Sequence, residues 1–105
     1  MYLGEFEQIV LIAVLRLGEN AYAIPIREEI EQRTGRKIAR GALYTALDRL
    51  EAKRCLRSNM SEPLPERGGR SRRYFTVTST GLAAVRATRQ SLLRLWQGLE
   101  GLLES

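Results

Sequence analysis

The sequence contains no histidine and a single cysteine, Cys55. Those absences exclude zinc ligation by cysteine and histidine sets, histidine acid–base catalysis and any intrachain disulfide. Cys55 has no second thiol to resolve it once oxidised and stands in an apolar context, which suits a small buried residue in a cytoplasmic protein. Long apolar runs are also missing. The longest, Ile9 to Leu15, is far short of a bilayer span, and Glu5 and Glu7 precede it where an export signal would carry positive charge. No nucleophile stands beside a base, no spacing suits a metal, and Gly68-Gly69 is a turn signal rather than a phosphate loop. The expectation is a chain that is not an enzyme, holds no cofactor or metal, and does not enter a membrane.

What is present is positive charge, unevenly placed. The 105 residues carry a formal charge of +5 and fit one small domain. Residues 1 to 32 hold two basic residues against six acidic ones, a net −4, whereas residues 33 to 73 hold twelve against four, a net +8. A positive field concentrated in the middle of a chain, with a pI of about 10.0, is the electrostatic footprint of a polyanion partner.

The stretch at the centre of that block is Arg40 to Lys53. Leu43, Ala46, Leu47 and Leu50 recur at the spacing of a helix with one buried face. At about 100° per residue, burying those four turns Gly41, Thr45, Asp48 and Ala52 outward, with Tyr44 and Arg49 on the flanks. Such a face is small enough to enter a DNA major groove and carries polar and cationic groups at its edges. Before it, Gly4 to Leu17 reads as a mostly buried helix closed by Gly18. Ile24 to Arg33 reads as a second, with Ile26 and Ile30 inward and Pro25 in its first turn. The second helix, the turn Thr34-Gly35-Arg36-Lys37 and the helix from Arg40 form a helix-turn-helix, with Arg36 and Lys37 at the corner where a DNA backbone would pass.

After Lys53 the pattern alternates. Leu56 to Met60 and Arg72 to Val77 are expected to form a β-hairpin whose long tip, Ser61 to Arg70, is rich in turn formers. Arg67, Arg70, Arg72 and Arg73 surround the two glycines, as a wing that tracks phosphates requires. Thr78 is placed to cap a last helix. From Val85 through Leu92, Trp96, Leu99 and Leu103 the steps are 7, 4, 3 and 4 residues, the seam of a coiled coil, and a second copy of the chain is the cover so much apolar surface needs. The expected architecture is mostly α with a small β-hairpin: a winged helix-turn-helix DNA-binding domain over residues 1–78 and a C-terminal dimerisation helix over residues 79–105.

Taken in order, these pieces resemble the PadR family of winged-helix transcription regulators, and the likeness covers nearly the whole chain. It is carried by Ala21-Tyr22-Ala23-Ile24, by Gly41 to Glu51 in the third helix, by Arg73-Tyr-Phe-Thr-Val-Thr78 and by Thr80-Gly81. The single helix after the wing is similar to the short-tailed subgroup, in which that helix builds the dimer. The resemblance implies a homodimeric repressor of a pseudo-palindromic operator, relieved by a small-molecule effector, with a planar hydrophobic compound held against Trp96. The DNA-binding set is then Arg36, Lys37, Arg40, Gly41, Tyr44, Thr45 and Arg49 with the wing residues Arg67, Arg70, Arg72 and Arg73. Val85, Leu92, Trp96, Leu99 and Leu103 form the dimer seam. The chain departs from the family pattern in having Arg54-Cys55 where a glycine commonly follows the recognition helix, so either a longer turn or a non-glycine residue with positive φ is expected there. It also has Ala39 where a Ser or Thr caps that helix. The alternative is a winged-helix protein-protein interaction module without specific DNA binding, which would have no use for the arginine block.

Overall fold

The structure is a computed structural model that describes residues 1–104, leaving aside the side chain of Arg67; that DNA-binding candidate therefore lies outside the described residues. Its elements in chain order are α1 (Glu5–Leu17), α2 (Ala23–Thr34), α3 (Arg40–Ala52), β1 (Leu56–Met60), β2 (Arg73–Val77) and α4 (Ser79–Trp96), with single 3₁₀ turns at Gly18–Asn20, Pro65–Arg67 and Glu100–Leu103.

Acidic residues open α1 where the helix dipole favours them, and the Glu7 carboxylate accepts the otherwise orphaned Gly4 N–H at 3.2 Å. Its Val10, Leu11 and Val14 meet Ile26 and Ile30 of α2, Leu43, Leu47 and Leu50 of α3, and Phe75 of β2 in one core. The helix is less buried than the mostly buried one its sequence predicts, since Ile12 and Leu15 are 40% and 46% exposed. The helix-turn-helix corner is tied by Glu31, whose carboxylate accepts the Ile38 N–H at 2.8 Å, and Gly35 ends α2 at φ 72°.

The end of α3 is a Schellman turn. Cys55 N–H bonds to Leu50 C=O at 2.8 Å and Arg54 N–H to Glu51 C=O at 2.9 Å, with Arg54 at φ 64°. A non-glycine residue thus takes the left-handed position, as the missing glycine requires. The strands β1 and β2 pair antiparallel from Leu56 opposite Val77 to Met60 opposite Arg73, and a bridge between Leu64 and Arg70 extends the hairpin. The Phe75 N–H donates to Ala21 C=O at 2.8 Å, which ties the wing to the segment before α2.

Thr78 caps α4 by accepting the Gly81 N–H at 3.0 Å. The first half of α4 belongs to the core: Ala84 and Thr88 are buried, and Thr88 Oγ1 accepts the Leu3 N–H at 2.9 Å. Two expectations for this helix are corrected. Val85 is 9% exposed and packs within its own core, so it does not face a partner. The helix also stops at Trp96 instead of running to Leu103, because Gly98 takes φ 88° and the chain turns there. Apolar spacing alone ignored the low helix propensity of Gly98 and Gly101. The tail nevertheless projects. The radius of gyration is 15.7 Å, against about 13 Å for a compact domain of this length.

Candidate nucleic-acid interface

The third helix presents the face its sequence dictates: Leu43, Ala46, Leu47 and Leu50 are buried, while Gly41, Thr45, Asp48 and Ala52 are exposed. Its N-terminus carries no side-chain cap and no acidic residue, so the free N–H groups of the first turn and the positive end of its dipole remain available to an anion. Arg40 lies over the Tyr44 ring at 5.7 Å, which pairs a cation with an aromatic at the entry of the helix.

The wing comes alongside. A cleft of about 420 Å³ is lined by Arg40 and Tyr44 of α3, by Ser71, Arg72 and Arg73 of the wing, and by Tyr22, Ile24 and Arg27 at the start of α2. Arg72 stacks on Tyr22 at 4.3 Å, and Tyr22 meets Tyr74 edge-on at 5.4 Å between centroids. Tyr22, Ile24 and Arg27 are not among the candidates that sequence pattern singles out. They reach the cleft through the Ala21–Phe75 hydrogen bond, a pairing that no local pattern announces.

Arg73 departs from its expected place. Its guanidinium donates to Asp48 at 3.1 Å and to Glu51, both on α3, and lies 4.8 Å from the Phe75 ring centroid. Glu51 also accepts the Ser58 hydroxyl at 2.6 Å from β1. The Ser58 hydrogen bond, followed by that of Arg73, holds the Glu51 carboxyl below its ordinary value. Arg73 therefore joins recognition helix to wing instead of turning to solvent. The other cations sit differently. Arg36 pairs with Glu5 at 2.9 Å and Lys53 with Glu7 at 2.6 Å. Both partners of the Arg36–Glu5 pair are exposed, so it exchanges cheaply for a phosphate, whereas Glu7 is only 15% exposed and its bond to Lys53 ties α1 to the end of α3. Arg49 shares a groove with Glu7, Gly41 and Thr45 beside α1.

The profile of the transcriptional regulator PadR-like family matches residues 11–87. The chain belongs to the PadR-like family of transcriptional regulators. Solved structures agree with it along most of their length. A Streptococcus transcriptional regulator is 27% identical over 92% of this chain and 90% of its own, with a TM-score of 0.71. A PadR family regulator from Eggerthella lenta is 26% identical over 96% of this chain and 88% of its own, with a TM-score of 0.70. A PadR-like regulator from Bacillus cereus, 18% identical over 95% and 92%, shares the fold with a TM-score of 0.73. No curated protein matches. PadR-like membership brings with it the winged helix-turn-helix, regulation through DNA and the lack of enzymatic activity. Among the described residues no helix is long and apolar enough to cross a membrane.

Proposed function

We propose that this PadR-like protein is a homodimeric repressor of a pseudo-palindromic operator, released by a small-molecule effector. The observation that carries the reading is the cleft shared by Arg40 and Tyr44 of α3 and Arg72 of the wing, which puts a groove-sized helix face and a basic hairpin on one side of the molecule. In this reading Gly41, Tyr44, Thr45 and Arg49 border the groove floor, and Arg36, Lys37, Arg40, Arg70 and Arg72 hold phosphates. Arg67 belongs with the wing by its place in the sequence. Arg73 acts one step removed, by fixing the wing against α3.

The dimer reading rests on exposed apolar surface. Leu92, Trp96 and Leu99 are 40–47% exposed and Leu103 is 66% exposed, more than a free chain leaves in water without a partner. A second copy covers them, and Trp96 at that seam is the candidate contact for a planar hydrophobic effector. Selection of bound duplexes from a random DNA library tests the whole proposal. The expected outcome is enrichment of two inverted half-sites spaced by about one helical turn. A library that shows no enrichment, or a motif with a single half-site, contradicts it.

A further inference from the structure

An arginine on a free hairpin keeps the many rotamers of a long side chain and loses them when it meets a phosphate. The surroundings of Arg72 remove that freedom beforehand. Its N–H donates to the Ser61 hydroxyl at 2.9 Å and its C=O accepts the Ser61 N–H at 2.7 Å, so the backbone is pinned just before β2. The guanidinium carbon lies 4.3 Å from the centroid of the Tyr22 ring, and the guanidinium donates to the Tyr74 hydroxyl. Neither partner takes away its charge. Arg73, one residue on, is instead engaged by Asp48 and Glu51. A guanidinium stacked flat on a ring, with five N–H donors, still has an in-plane edge for an anion.

The ring beneath it is fixed in turn. Tyr22 is the N-cap residue of α2, and its C=O accepts the Ile26 N–H at 3.1 Å. The neighbouring Ala21 C=O accepts the Phe75 N–H of β2 at 2.8 Å, and the Tyr22 ring meets Tyr74 edge-on at 5.4 Å. Tyr22 therefore stands between the start of a helix and a strand of the wing, half-buried, with only two side-chain torsions to vary.

We propose that Tyr22 is a positioning residue for DNA binding: its ring, anchored at the start of α2, holds the edge of the Arg72 guanidinium toward the phosphate backbone without itself touching the nucleic acid. The inference rests on the DNA reading above and deepens it. Because phosphate is the same at every base step, Tyr22 contributes to affinity for any duplex and not to the choice among them.

Anisotropy titrations of the full chain, with the operator enriched from the library and with a scrambled duplex of the same length, test this through a double-mutant cycle. Tyr22→Leu should weaken binding to both duplexes by about three- to tenfold, the range of a partly desolvated cation–π contact, and leave the ratio between them unchanged. In the Arg72→Gln background the same change should weaken binding by less than about twofold. Tyr22→Phe, which keeps the ring, should bind as the unaltered protein does. Circular dichroism and urea midpoints check that each variant is folded. An equal loss with and without Arg72 marks a structural role only and overturns the proposal. A changed ratio between the duplexes, which marks base reading, or a loss in Tyr22→Phe, which marks a direct hydroxyl contact, overturns it as well. Should Tyr22→Leu fail to fold, the unaltered protein decides: the ring current of Tyr22 should move the Arg72 side-chain protons upfield in the NMR spectrum, and unshifted resonances overturn the stack. If Arg72→Gln alone leaves DNA binding unmoved, the DNA reading of Arg72 fails and Tyr22 falls with it, whereas an additive cycle on top of an Arg72 effect defeats Tyr22 alone.

Discussion

At the scale of single residues, two positions separate positioning from contact. Arg73 is joined to Asp48 and Glu51 and is one-third exposed, while Arg72 rests on the Tyr22 ring, hydrogen-bonds Tyr74 and lines the cleft. Arg72→Gln should lower the slope of log affinity against log salt by about 0.9 for each phosphate that Arg72 neutralises. Arg73→Gln should weaken operator binding with the slope nearly unchanged, since it releases the wing and leaves Asp48 uncompensated on the groove face. Asp48→Asn should restore part of that affinity. Anisotropy titrations at several salt concentrations distinguish the two, and a full drop in slope for Arg73→Gln would return that residue to the phosphate-contacting set. Gly81 makes a different kind of prediction. A Cβ there would overlap the Cys55 carbonyl and stand 3.0 Å from Val77 Cγ1. Gly81→Ala, although favoured by helix propensity, should cost about 1–3 kcal/mol through overpacking, read as a lower urea midpoint; an unchanged midpoint would mean that α4 sits less closely on the α3–β1 turn.

At the scale of elements, the contacts that fix helix to helix and helix to wing are made by carboxylates. Glu7 is lowered chiefly by Lys53, Glu29 by Arg33, Glu31 by the Ile38 N–H and Glu51 by Ser58. A carboxyl whose folded pKa lies below its unfolded one binds its proton first in the unfolded chain. Its stabilisation is therefore present above the ordinary glutamate value of 4.5 and is lost as pH falls through the folded pKa. Urea midpoints should hold from neutral pH to about 5 and fall below it, with a shallower fall in Glu51→Gln. A midpoint that stays level to pH 3, well below that value, would contradict the pairing. Most of these elements are legible in the sequence because their signals are local: the period of Leu43 to Leu50, the turn formers between the strands, the threonine before α4. The end of α4 is not. The apolar steps past Trp96 favour continuation and Gly98 opposes it, and beyond Ser91 the helix has no buried side chain of its own domain to settle the matter. Arg73 fails for a related reason: whether it faces solvent or α3 depends on strand register and on how the wing leans, neither of which is written in its neighbours.

At the scale of the whole molecule, charge and shape divide the chain into two ends. The net +8 of residues 33 to 73 surrounds α3 and the wing, and the apolar tail projects from an elongated body of 55 × 29 × 22 Å. In the proposed reading one end meets a polyanion and the other meets a second chain, which is how a small PadR-like regulator reads two half-sites without a large core. The central claim is that α3 and the wing form the DNA surface, and fluorescence anisotropy with an enriched operator and a scrambled duplex, across salt concentrations, tests it most directly. The expected result is preference for the operator by about 10³-fold or more, with log affinity falling linearly against log salt and a shallower line in Arg72→Gln. Equal, weak binding to both duplexes with no effect of Arg72→Gln would contradict it.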